Sequence, residues 1–194
     1  MLDRTTLGAA VVAAFCCAPV LGVPQAHASA QVRAAEHVRV MPQAAPAVAA
    51  ARPRKGALIG TIRIKRMHLK ADVRQGVAQK VLRRAVGHYP GTGLPGRDGN
   101  TVLLGHRTTW LRPFNKLDRM RRGDRIVLRV GRTTYVYRVS VKRVIRPADR
   151  RALEPVPFHR RSAPHGQYVT LISCTPKGSD RRRLVVVGKL RPKR

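Results

Sequence analysis

The segment Thr170-Leu171-Ile172-Ser173-Cys174-Thr175-Pro176 carries the side chain best suited to covalent chemistry. A β-branched and aliphatic run delivers a cysteine at its end, and Pro176 stops a strand directly afterwards. That placement holds a thiol at the rim of a sheet on a rigid base. A thiolate is the nucleophilic form of cysteine and suits attack on an acyl carbon. Lys177, Arg181, Arg182 and Arg183 follow closely and surround such a nucleophile with positive charge. An inert, buried cysteine is the competing explanation. Acyl transfer through a thiol also needs an acid for the departing amine, and histidine is the usual group near neutral pH. Of seven histidines, His27 and His37 fall in the N-terminal segments, His159 and His165 in a polar loop, and His68 and His88 flank expected elements. His106 is the best placed. It closes an apolar run at 101–104, within Gly105-His106-Arg107-Thr108-Thr109. A histidine at a strand end is otherwise a structural residue. The third requirement is a donor for the oxyanion, which a guanidinium fork supplies. Arg181, Arg182 and Arg183 precede the apolar run 184–190. Neighbouring strand residues face opposite sides, so Arg182 and Arg183 cannot both address one site. A solvated basic turn is the alternative for each of them.

The elements that must position these groups are short apolar runs between turn residues. Residues 57–64 (ALIGTIRI) alternate at their end, and 100–105 (NTVLLG) follow the turn-rich Pro-Gly-Arg-Asp-Gly. Residues 124–130 (DRIVLRV) put Ile126, Leu128 and Val130 on one face. Gly131-Arg132 makes a tight connection to 134–144 (TYVYRVSVKRV), so the pair is expected to be a hairpin. Residues 168–174 (YVTLISC) and 184–190 (LVVVGKL) complete the set, and one short helix is expected over 113–122, where Phe114, Leu117 and Met120 recur. Many short strands with almost no helix predict an all-β domain, a small barrel or sandwich. There is no internal repeat, zinc spacing, Walker loop or GxGxxG.

The chain has 194 residues, with 40 Lys and Arg against 9 Asp and Glu, for a formal charge of +31. Such a chain is drawn to polyanions: nucleic acid, anionic lipid or anionic wall polymer. The N-terminus narrows the choice. Residues 7–23 (LGAAVVAAFCCAPVLGV) run 17 positions without a charge, and Ala26-His27-Ala28 has the small-x-small pattern of a signal-peptidase site. Residues 1–28 are therefore either a cleaved signal or an uncleaved anchor near the lower length limit for a membrane span. Both export the remainder, which argues against a nucleic-acid role. Cys16 and Cys17 lie inside the apolar run, so Cys174 has no intrachain disulfide partner in the exported part. Residues 29–56, rich in Ala, Pro, Gln, Val and Arg, are expected to form a flexible linker, with 57–194 as the catalytic domain.

Taken together, these segments resemble the sortases, a family of cysteine transpeptidases. Leu-Ile-Ser-Cys-Thr-Pro resembles the family's Thr-Leu-x-Thr-Cys signature, with Ser173 in place of the usual Thr. Gly105-His106-Arg107 resembles the segment of the catalytic histidine, and Arg183-Leu184-Val185-Val186-Val187 resembles that of the catalytic arginine. The match covers roughly residues 56–190. Gly87-His88-Tyr89-Pro90-Gly91-Thr92, Gly99-Asn100, Pro113-Phe114, Leu117 and Gly123-Asp124 resemble class E, with class D next.

The resemblance implies a closed eight-stranded β-barrel with one or two short helices. It implies that Cys174 attacks the Thr–Gly bond of an LAXTG or LPXTG sorting signal on a secreted protein, and that His106 shuttles the proton. It implies that Arg183 stabilises the oxyanion, and that a peptidoglycan precursor amine, as in lipid II, accepts the chain. The mechanism requires no cofactor or metal, and acids are too sparse for a calcium cluster. It also tilts residues 1–28 toward an anchor at the extracytoplasmic membrane face. Rivals fare less well. An L,D-transpeptidase looks for His two residues before Cys, where Ile172 stands. A wall-binding module would leave Cys174 as core. A nucleic-acid binder needs aromatic platforms or a known motif.

Overall fold

Period-two alternation turns most of the chain beyond Leu58 into strands. The computed structural model describes residues 52–191. Its strands are β1 (Leu58–Ile64), β2 (Leu69–Gln75), β3 (Val86–His88), β4 (Gly99–Leu104), β5 (Arg125–Val130), β6 (Thr133–Ile145), β7 (Gln167–Thr175) and β8 (Arg182–Leu190). They close in the order β1-β2-β3-β4-β7-β8-β6-β5, the expected eight-stranded barrel. Closure leaves the sheet without an unpaired edge. Two neighbouring pairs run parallel, β2–β3 and β4–β7, and the others antiparallel.

Helix is scarce, as the sequence suggests. One turn of α-helix, α1 (Gln79–Leu82), joins β2 to β3, and 3-10 turns occupy Lys65–Met67, Leu117–Arg119 and Arg150–Leu153. The helix expected over 113–122 is only the turn Leu117–Arg119. Phe114, Leu117 and Met120 are nevertheless wholly buried. A repeat of three matches the 3-10 period as well as one face of an α-helix.

Each strand sends alternate residues inward. Ile62 and Ile64, Leu103, Ile126 and Leu128, Val169 and Leu171, and Leu184 and Val186 form the barrel interior, sealed at one end by Phe114, Leu117 and Met120. Intervening residues form a second cluster outside the barrel wall. There Val102, Ile145, Ile172, Val185 and Val187 pack with Ala152, Leu153 and Phe158 of the connection between β6 and β7. This outer cluster gives one exterior face of the barrel a firm floor.

Residues 1–51 lie outside the described residues, and with them the expected anchor and all of the expected linker up to residue 51. Among the described residues no helix is long and apolar enough to cross a membrane.

Candidate active site

Cys174 and Arg183 are direct partners across the antiparallel pair β7–β8. Opposed residues in such a pair project to the same face. Ile172 and Val185, also direct partners, belong to the outer cluster. Two residues along each strand, Cys174 and Arg183 therefore share that exterior face. Thr175 opposes Arg182, which alternates away from Cys174 at the first position of β8, where its exposed side chain reaches the β6–β7 connection. The register thus sets Arg183, and not Arg182, directly opposite Cys174. Both site residues are half-buried, whereas Arg182 is exposed.

The Arg183 guanidinium bends toward its own turn. Nη1 donates to the carbonyls of Asp180 (2.6 Å) and Arg182 (3.2 Å). Both bonds use one nitrogen of a five-donor group.

His106 stands just beyond β4, the parallel neighbour of β7. Three contacts tie its segment to the cysteine strand. Gly105 N–H donates to the Ile172 carbonyl (3.2 Å), and the buried Ser173 hydroxyl donates to the Gly105 carbonyl (2.7 Å). The third contact comes from Arg107, whose side chain is only 4 % exposed. Its Nη1 donates to the Cys174 carbonyl (3.3 Å), its Nε to the Asn115 carbonyl (2.9 Å), and its Nη2 pairs with Asp118 (3.0 Å). Asn115 returns a bond from its amide to the Arg107 carbonyl (3.0 Å). One guanidinium thus clasps the cysteine strand to the loop that follows His106. Gly105 has no room for a side chain, because a Cβ there would lie 2.9 Å from both Pro113 and Phe114.

The imidazole itself meets α1. Gln79 Oε1 lies 3.1 Å from His106 Nε2, so Nε2–H donates and the neutral ring keeps its lone pair on Nδ1. Trp110 tilts against the ring with centroids 4.5 Å apart, and Arg83 lies over Trp110 at 5.0 Å. Gln79 and Arg83 are four residues apart, one helical turn, and so act from one side. Desolvation, and then the positive charge of Arg83, lower the His106 pKa below the ordinary histidine value. The ring is accordingly neutral for the most part at pH 7.

A buried amide fixes the opposite border of this face. Asn100, at the start of β4, donates to the carbonyls of Ala152 (2.9 Å) and Glu154 (3.0 Å) and accepts from the Thr170 hydroxyl (2.7 Å). It pins the β6–β7 connection to both β4 and β7. Of the other histidines, His88 is buried in β3, with Nε2–H donating to the Gly93 carbonyl (2.9 Å) and Gln75 Oε1 2.7 Å from Nδ1. His159 and His165 are exposed in the β6–β7 connection.

The structure thus brings Cys174 and Arg183 into register and ties the His106 segment alongside. It adds Gln79, Arg83 and Trp110, which the sequence did not mark, and gives a buried contact role to Arg107, which the histidine motif contains without assigning it one. Arg107 is one of 40 cations, and its place beside His106 does not by itself tell a buried guanidinium from a solvated one. Gln79 lies 27 positions from His106, a separation that no local motif spans.

A family model described as a sortase domain matches residues 62–191. Sortase SrtE1 of Streptomyces coelicolor is 33% identical over 137 residues, which are 66% of this chain and 39% of that protein. Sortase SrtE2 of the same organism is 33% identical over 125 residues, 61% of this chain and 49% of that one. Sortase D of Bacillus subtilis is 25% identical over 141 residues, 71% of this chain and 66% of that one. The chain therefore spans about half or less of the length of the two class E relatives. Among solved structures, the SrtA sortase from Actinomyces oris matches with a TM-score of 0.69 at 26% identity, covering 73% of this chain and 83% of that one. Sortase E from Streptomyces avermitilis matches with a TM-score of 0.64 at 30% identity, covering 71% and 90%.

Proposed function

Because the chain belongs to the sortase family, we propose that it is a cysteine transpeptidase acting on secreted proteins that end in an LAXTG- or LPXTG-type sorting signal. His106 Nδ1 takes the Cys174 thiol proton, and the resulting thiolate attacks the carbonyl carbon between Thr and Gly of the signal. The tetrahedral oxyanion draws on N–H groups of Arg183 once the guanidinium turns from its carbonyl contacts. The C–N bond breaks, His106 donates its proton to the departing Gly amine, and a thioester remains on Cys174. An acceptor amine then attacks the thioester. His106 takes the amine's proton, a new amide bond forms, and the Cys174 thiolate leaves and recovers that proton from His106. The acceptor is an amine on a lipid II-like peptidoglycan precursor. Residues 1–28 anchor the enzyme at the extracytoplasmic membrane face, and 29–56 serve as a tether.

The observation that carries this reading is the Cys174–Arg183 register pair, with the His106 segment bound to the same strand. Intact mass spectrometry of the full chain mixed with an LAETG peptide tests it. A thioacyl adduct is expected in wild type and not in Cys174→Ala. Turnover should fall by orders of magnitude in His106→Ala and Arg183→Ala and stay near wild type in Arg182→Ala. Neither adduct nor cleavage with LAXTG and LPXTG peptides would sink the reading.

A further inference from the structure

The β6–β7 connection carries a second concentration of chemistry. With the end of β6 and the start of β8 it forms a groove of about 950 Å³ lined by seven arginines and two carboxylates. One carboxylate is already engaged. Arg151 Nη2 donates to Asp149 at 2.7 Å and Nε donates at 3.0 Å, and this bonding, with further help from Arg160, holds the Asp149 carboxyl down at about 2. Among the described residues, the other six arginines (Arg143, Arg146, Arg150, Arg160, Arg161 and Arg182) form no ion pair. Arg143 stacks on Phe158 at 4.9 Å, and Arg150 donates to the Tyr89 hydroxyl at 2.9 Å.

Like charges gathered in one concavity repel, and a multivalent anion relieves that repulsion. Guanidinium forks match phosphate oxygens two at a time, which a lysine cannot do. The groove is also built on a fixed base. Its floor is the outer apolar cluster, through Ile145 and Phe158, and its loop is locked by the Asn100 bonds. Its place in the fold is informative. Arg182 opposes Thr175, the neighbour of Cys174, and Ile145 opposes Arg183. The groove therefore begins two strand spacings, about 10 Å, from the nucleophile.

We propose that this arginine groove is a binding site for a diphosphate-class ligand and, resting on the transpeptidase reading, that it seats the phosphate end of the acceptor whose amine reaches Cys174. Inorganic pyrophosphate is the probe, titrated calorimetrically into the full chain at low salt. The triple variant Arg146→Gln/Arg150→Gln/Arg160→Gln should weaken binding about tenfold or more, with salt dependence reduced in parallel. Arg119→Gln/Arg122→Gln/Arg132→Gln, which removes the same charge elsewhere, should change it less than about twofold. Matched circular dichroism and thermal midpoints establish that both variants fold.

Equal weakening by both triples, or no pyrophosphate binding in wild type, would overturn the site. An oligoglutamate peptide binding as tightly as pyrophosphate and with the same variant response would reassign the groove to acidic protein. The acceptor role has its own test. Pyrophosphate should inhibit transfer to a diphosphate-linked amine while sparing transfer to glycinamide, and equal inhibition of both removes that role. Cleavage of LAETG peptide is followed separately. Its absence alongside intact pyrophosphate binding would sink the sorting-signal reading and leave the groove standing.

Discussion

Arg107 is a positioning residue one place from the catalytic candidate His106. A buried guanidinium with three directed bonds cannot be replaced by a flexible ammonium without losing the fork geometry. Arg107→Lys should therefore lower kcat about tenfold or more while KM moves little, since a small misplacement of the nucleophile strand penalises the chemical step. Steady-state kinetics with a sorting-signal peptide would decide. A change confined to KM would mean that Arg107 serves substrate binding instead. His106 offers a separate electrostatic test. Arg83 is one of two causes that lower its pKa. Arg83→Gln should accordingly move the His106 titration up toward the ordinary value, read from its imidazole C–H shifts by NMR. An unmoved titration would leave desolvation as the whole cause.

Strands and loops hold these residues in place, and their legibility varied with how much each buries. β1, β5, β6, β7 and β8 were readable to within a few residues because their inward faces are consistently apolar. β2 (LKADVRQ) carries only Leu69, Ala71 and Val73 as apolar residues among charged ones, and β3 is three residues long. β2 alternates over a short run with a thin apolar face, β3 is too short to show a period, and both rely on their neighbours for hydrogen bonds. The cysteine strand was legible for the opposite reason: a buried run of mostly β-branched and aliphatic residues ends abruptly at a cysteine. The loops were not, because their order depends on single long-range bonds. Asn100 is the clearest of these. It opens the run 100–105 read as a strand, and nothing local in the sequence shows that its side chain is 2 % exposed and fully bonded. Asn100→Ala should destabilise the barrel by about 1–3 kcal/mol per stranded partner group. Hydrogen exchange should show the β6–β7 connection opening first. Uniform exchange across the barrel would argue that Asn100 does not fix that loop in particular.

At the scale of the whole molecule, titration of buried groups sets how stability follows pH. Desolvation is the main cause that lowers the His88 pKa, with the Gly93 carbonyl bond opposing it. A histidine whose folded pKa is depressed binds fewer protons folded than unfolded between that value and its ordinary pKa of about 6.5. Stability is therefore full above about 6.5 and declines as pH falls toward the folded value. Urea midpoints should drop between about pH 7.5 and about pH 5 by more in wild type than in His88→Gln. Equal drops would assign the acid sensitivity to other groups. Trp110 is the chain's one tryptophan, and it rests on the His106 ring while remaining 47 % exposed. The protein's indole emission consequently arises at a single address, in contact with the group that would handle the proton. Anything that seats a peptide there, or charges that imidazole, is visible as light from the unlabelled native chain.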